Sequence, residues 1–262
     1  MRPKHFAPFF LALLFTAAAA AQTPTVAPAA DASAPAQLAS APGRPNALPR
    51  FGLGFQAGTL GPGVQFAARV SNWGNVRFGF NDFSYGRSLQ RDGINYAGNL
   101  KLRSFSTQLD WFFWKSFHLS PGALIYNGNG ATGSASVPGG TSFTLGSTQY
   151  TSDPSDPVTG AGQVTVRRFA PMLTFGSGNL VNREGGHFGV SFEAGFAYEG
   201  APQVGLNLAG SVCVSGGGCE PTSSASVQSD LQAEQSKLNA ELSGHWYNKY
   251  FPILSLGFHY AF

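Results

Sequence analysis

Tyr250–Phe262, YFPILSLGFHYAF, is the stretch whose reading decides the fold. Leu254, Leu256, Phe258, Tyr260 and Phe262 place a large apolar side chain at every second position. Between them stand Ser255, Gly257, His259 and Ala261, all small or polar. Successive side chains of an extended chain point to opposite sides, so a period of two marks a strand with two different environments. Phe188–Tyr198 repeats the pattern, with Phe188, Val190, Phe192 and Phe196 against Gly189, Ser191, Glu193 and Gly195. Weaker versions occupy 51–58, 63–71, 75–86, 98–114, 117–127 and 163–176, which predicts about eight strands.

Composition agrees with strands rather than apolar helices. The 262 residues include 34 Gly and 23 Phe, only 11% are charged, and the mean hydropathy is -0.04. Soluble domains carry roughly 25% charged residues. A near-neutral hydropathy excludes a bundle of membrane helices, and 13% aromatic residues exclude disorder throughout.

Residues 1–21 read as a secretory signal. Arg2, Lys4 and His5 form the basic start, Phe6 to Phe15 the apolar stretch, and Ala17–Ala21 the small residues before a cut after Ala21. The apolar run is shorter than the roughly 20 residues a spanning helix needs. Removing Arg2 and Lys4 leaves the basic and acidic residues nearly balanced, with no basic cluster; nucleic acid is not an expected partner. Residues 22–49, rich in Ala, Pro, Ser and Thr, read as a flexible linker. Residues 50–262 form the strand-bearing domain.

The connections alternate. Those at 71–75, 114–117 and 176–186 are short, while 128–162 and 199–249 are long, and Gly61-Pro62-Gly63 is a tight exception among the long ones. Short turns at one end and long loops at the other match a transmembrane barrel. In the last long loop Val227, Leu231, Leu238 and Leu242 share one helical face between Ser226, a candidate N-cap, and Gly244. This predicts a helix over 226–243, outside the wall and packed on a rim. Gln203–Ala209 also alternates and is a candidate extra strand, making the count eight or ten.

An exported chain of alternating strands that ends in an aromatic strand resembles a bacterial outer-membrane β-barrel protein. It is closest to small barrels of the OmpA/OmpX and OmpW types over residues 50–262. The residues that carry the resemblance are Tyr250–Phe262, with Phe258, Tyr260 and Phe262 similar to the terminal signal read by the barrel-assembly machinery. The resemblance implies an all-β fold, an antiparallel transmembrane barrel with both ends of the domain on the periplasmic side. It also implies the bacterial outer membrane as location, its lipid as surroundings and the assembly machinery as partner.

Alternation then assigns faces. Phe55, Phe66, Phe78, Phe80, Leu109, Trp111, Phe113, Leu119, Leu173, Phe175, Phe192 and Phe258 are expected to face lipid, with Trp73, Trp111, Trp114 and Tyr260 as a girdle at the short-turn end. Arg69, Arg77, Asp110, Glu193, His118 and His259 are expected inside. An eight-stranded interior is barely wide enough for side chains, so these groups are expected to form a salt-bridged plug rather than a pore lining. The histidines lack a third ligand at metal-binding spacing, and no cofactor is expected. Ser243 lies close to His245, but a loop this rich in Ser supplies such pairs by chance, so no enzymatic activity is expected. Cys213 and Cys219, the only cysteines, are expected to pair in an exported chain. Asp153 and Asp156 are read as solvated turn residues rather than a cation site. The expected function is structural or surface-interacting, through long outer loops that would meet an extracellular ligand; the alternative is a small passive channel for ions or small hydrophobic solutes.

Overall fold

The computed structural model describes residues 49–182, 186–214 and 217–262. The predicted signal at 1–21 and all but the last residue of the predicted linker lie outside the described residues. Strands β1 (Phe51–Gly58), β2 (Gly63–Arg69), β3 (Gly74–Arg91), β4 (Ile94–Trp114) and β5 (Phe117–Asn127) follow one another along the chain. The chain then passes through β6 (Gly130–Ser136), β7 (Ser142–Leu145), β8 (Thr148–Ser152) and β9 (Thr159–Thr165) and returns in β10 (Ala170–Ser177) and β11 (Phe188–Tyr198). A second excursion, β12 (Gln203–Ala209), β13 (Ser211–Val214), β14 (Cys219–Pro221) and helix α1 (Ala225–Gly244), precedes the terminal β15 (Tyr250–Ala261).

Among the described residues eight strands pair in a closed antiparallel ring, in the order β1, β2, β3, β4, β5, β10, β11, β15 and back to β1. Closure satisfies the backbone without leaving an edge, a requirement of any β structure surrounded by lipid. Period-two alternation appears as two faces. Phe55 is 67% and Phe258 65% exposed on the outside, whereas the inward Arg77 and Asp110 are each 1% exposed. Of the residues expected toward lipid, Leu119 is half-buried and the others are exposed. Trp73, Trp111, Trp114 and Tyr260 are all exposed.

β3 and β4 overrun the ring. They have 18 and 21 residues, where a tilted crossing needs about 9–11. The overrun of β4 pairs with β6, β6 with β9 and β9 with β12. These strands form an extension of the wall beyond the ring, so Gln203–Ala209 is a strand of the extension and not of the ring. β14, β13, β8 and β7 make a second sheet. Between these layers lies an apolar core that includes Ile94, Phe143, Tyr150, Val212, Val227 and Leu231.

Two expectations need correction. The stretch 163–176 is not one strand: it breaks at 166–169, where the chain leaves its partner β6 for its partner β5. The Asn127 amide donates to the Arg168 carbonyl at 2.7 Å at that crossing, and the Arg167 amide donates to the Glu199 carbonyl at 3.3 Å. The helix begins at Ala225 rather than after a Ser226 cap; Ser226 Oγ donates to Glu220 instead (2.9 Å). Nor does it rest on the rim of the ring. Val227 and Leu231 are buried in the core of the extension, Leu238 and Leu242 are half-buried, and polar side chains seal the outer edge of β12. Asn239 Oδ1 accepts from the Val204 amide (2.7 Å) and Gln235 Oε1 from the Leu206 amide (3.2 Å). An edge strand so capped cannot recruit another strand.

Candidate functional site

The inward groups gather at mid-height of the ring. Arg77 comes from β3, Asp110 and Gln108 from β4, His118 and Ser120 from β5, Thr174 from β10 and Glu193 from β11. Register brings them together. Asn75 pairs with Asp110, so Arg77, two residues on, lies diagonal to that carboxylate. His118, Gly176 and Glu193 fall in one row across β5, β10 and β11. Glycine occupies the middle of that row for a steric reason: a Cβ on Gly176 would lie 2.6 Å from His118 Nε2 and 2.8 Å from Glu193 Oε1. Its absence lets the imidazole and the carboxylate meet across the strand.

Arg77 Nη2 donates to Asp110 Oδ1 at 2.8 Å and Nε to the same oxygen at 3.1 Å, while Nη1 lies 2.8 Å from Glu193 Oε1. Ser120 Oγ donates to Asp110 Oδ1 (2.7 Å) and Thr174 Oγ1 to Glu193 Oε2 (2.7 Å); Gln108 Nε2 donates in turn to Thr174 Oγ1 (2.9 Å). His118 Nε2 lies 2.7 Å from Glu193 Oε1, and its Nδ1 lies 3.3 Å from the Ser116 carbonyl, so both ring nitrogens face acceptors. All four ionisable side chains are buried. Buried charges persist only when paired and hydrogen-bonded, and every carboxylate oxygen named here is met by a donor.

Two predicted members stand apart. Arg69 is not in this cluster: its Nη2 donates to the Asn182 carbonyl at 3.0 Å, nearer the short-turn mouth. His259 is also separate, packed beside Gly189 and Asn179. Alternation places a side chain inside but does not say at which height, and these two sit in the layer below.

That layer contains residues the sequence reading did not single out. The described start of the connection between β10 and β11, expected as a short turn, folds into the mouth of the ring at 179–182. Leu180 and Val181 are buried with Ala67, and Asn75 Nδ2 donates to Asn179 Oδ1 at 2.8 Å. The available signal was the pair Leu180-Val181, apolar in the middle of an otherwise polar turn. At the other mouth Leu60, Leu124, Met172 and Ile253 form an apolar layer. Beyond it Asn127 Nδ2 donates to Glu199 Oε1 at 2.8 Å. Burial pushes the Glu199 carboxyl above its ordinary range, against that hydrogen bond. Between the layers a cavity of about 20 Å³ remains, bordered by Gln56, Gln65, Arg77 and Glu193, the room of roughly one water.

The other candidates resolve locally. Cys213 and Cys219 are joined in a disulfide. Asp153 Oδ1 accepts from the Ser155 amide (2.8 Å) and hydroxyl (2.7 Å), and Asp156 Oδ2 accepts from Ser211 Oγ (2.8 Å). Ser243 Oγ donates to the Ala240 carbonyl, and His245 Nδ1 faces that of Glu241. Phe258, Tyr260 and Phe262 lie on the outer face, where Tyr260 packs edge-on to Phe188 (4.9 Å) and stacks with Phe262 (6.4 Å).

No family model and no curated protein matches the chain. Among solved structures it resembles CarO2 of Acinetobacter baumannii, with a TM-score of 0.51 and 19% identity over 83% of this chain and 100% of that one. It also resembles CarO of Acinetobacter baumannii, with a TM-score of 0.50 and 21% identity over 82% of this chain and 98% of that one. At this identity the likeness is one of fold, and the chain shares the overall architecture of these two proteins.

Proposed function

We propose that the protein is an integral protein of the bacterial outer membrane, exported through a cleaved leader, whose ring is a closed ion-paired scaffold for a surface-interacting extension. What carries this reading is the exchange of environments in the ring. Large apolar side chains cover its outside, while Arg77, Asp110, Glu193 and His118 fill its inside and the Leu180-Val181 turn occupies one mouth. The likeness to small barrels of the OmpA/OmpX and OmpW types belongs to this proposal, as does assembly through the aromatic end Phe258, Tyr260 and Phe262. Whatever binding occurs falls to the extension, and the proposal calls on neither a cofactor nor catalysis. The channel alternative would need the ionic layer to open. Planar-bilayer conductance of the refolded chain, with folding checked by heat-modified gel mobility, tests the choice. Silence from folded protein is the expected result; discrete, reproducible steps would replace the scaffold reading with a channel gated at Arg77.

A further inference from the structure

The outer column of β15 is bracketed by two aromatic clusters. At its short-turn end Tyr260 packs with Phe188 and with His187 (5.5 Å). At its other end Tyr250 meets Phe196 edge-on at 5.5 Å and Tyr198 at 5.3 Å. Between the two tyrosines the outward side chains Pro252, Leu254, Leu256 and Phe258 carry no charge and are all exposed. Tyr250 and Tyr260 are separated by roughly 33 Å along the strand at ~3.3 Å per residue. A tilt of about 40° reduces this to ~25 Å, the height of the apolar band of a membrane barrel. The second cluster therefore stands one band-height from the first. Further round the ring, on β3 and β4, the outward residues change from Phe80 and Phe105 to the ion pair Asp82–Arg103 (2.7 Å), which ends the apolar band on that side.

The turn that joins α1 to β15 extends the second cluster. Trp246 crosses Tyr250 at 6.1 Å and Tyr247 at 6.2 Å, and His245 lies against Tyr247 at 5.1 Å. Yet Trp246 is 72% and Tyr247 54% exposed. The turn is held in shape by the Asn248 side chain, which donates to the Leu242 carbonyl (3.0 Å), and by the Glu199 amide, which donates to the Lys249 carbonyl (2.9 Å). An ordered pair of large aromatics, exposed to water and continuous with an apolar band, suits the polar–apolar boundary of a bilayer, where an indole or phenol can be half wet.

We propose that residues 245–250 form a lipid anchor at the far membrane boundary. Trp246 and Tyr247 enter the headgroup region and hold the end of α1 on the membrane. Because Gln235 and Asn239 of α1 are bonded to β12, the anchor also sets the stance of the extension over the bilayer. The occupant is the boundary layer of the lipid and not a second copy of the chain. This inference rests on the membrane-spanning reading above.

The four tryptophans make the two separable, since Trp73, Trp111 and Trp114 belong to the short-turn end and Trp246 to the other. The full chain carrying Trp73→Phe, Trp111→Phe and Trp114→Phe, reconstituted in phosphatidylcholine vesicles, has Trp246 as its sole indole. Lipid brominated near the headgroup should quench most of its emission, lipid brominated near the chain ends should quench little, and the same quenching should persist at high protein dilution. The companion Trp246→Phe reports on the other three. If it is quenched and heat-modifiable while the sole Trp246 emits as in water, the anchor is wrong and the membrane reading stands. If neither variant is quenched, both fall. Quenching of Trp246 that is lost on dilution into excess lipid, with the ring still inserted, would assign the patch to a second copy and overturn the anchor.

Discussion

In the ring, Arg77, Asp110 and Glu193 are buried while Phe55 and Phe258 are more than half exposed; in the extension, Phe143 and Tyr150 are buried while Arg87, Lys101 and Lys237 face out. Both regions use antiparallel strands with a period of two, and the same hydrogen-bonded ladder serves each. What differs is the medium on either side. Above the ring, burying Phe143, Ile94 and Leu231 removes apolar surface from water, at roughly 25 cal/mol per Å². In the ring the large apolar side chains sit on the outside, where on the proposed membrane reading lipid would replace that gain, and the narrow interior is left to polar groups. There the interior must satisfy itself, because an unpaired charge between Arg77 and His118 would have neither lipid nor bulk water to turn to.

The contrast breaks most readily at Arg77. Arg77→Ala leaves Asp110 and Glu193 facing each other without their shared cation, and should cost about 3–5 kcal/mol in urea unfolding of the reconstituted protein. A loss under 1 kcal/mol would mean the ionic layer contributes little. In the extension, Leu231→Ala should cost about 2–4 kcal/mol of local stability through the cavity it leaves. Limited proteolysis of the loops should accelerate while heat-modified mobility of the ring stays unchanged; if both change together, the two regions do not unfold separately. Arg69→Ala should cost only about 1–2 kcal/mol, since it removes one charged hydrogen bond to the Asn182 carbonyl and leaves no partner charge stranded. A penalty equal to that of Arg77 would place Arg69 in the ionic layer after all. Asn239→Ala, which exposes the Val204 amide, should cost about 1 kcal/mol and increase self-association of the refolded protein, because the edge of β12 is then open.

A further effect concerns pH in the extension. Burial, followed by the hydrogen bond from Tyr150 Oη to Asp230 Oδ2 (2.9 Å), raises the Tyr150 phenol to about 12. A group whose folded value is raised contributes stability that is fully present below its unfolded value near 10 and lost as pH climbs through the folded one. The extension should therefore loosen between about pH 10 and 12, read as a late phenolate step in absorbance. Asp230→Asn should move that step to lower pH; an unmoved step would mean the carboxylate does not contribute.

How far the sequence could be read differs between the two regions. The strands of the ring were legible because an apolar outer face and a narrow polar interior imprint alternation on each of them, as Phe188–Tyr198 and Tyr250–Phe262 show. The break at 166–169 left a signal that was passed over: Val164 and Val166 alternate with Gln163 and Thr165, but Arg167 and Arg168 stand side by side and Phe169 falls in the opposite phase, where the chain changes partner. The Leu180-Val181 turn was passed over because turns are ordinarily solvated, and only the ring above it gives those side chains somewhere to go. The helix was visible from its apolar spacing, but its task depends on β12 lying beside it with two amides unpaired.

By itself the sequence determined the class of the fold, the side of the wall each residue faces, and the presence of one helix and one cysteine pair. Those properties are local, since a period of two or of 3.6 is set by backbone geometry a few residues at a time. Tertiary structure alone decided which inward residues meet. His118 and Glu193 are far apart in the chain, and they touch because the register of three strands puts them in one row with Gly176 between them. Arg69 and His259 share the same side of the wall and miss that row. Register is a property of paired strands, and no single stretch of the chain contains it.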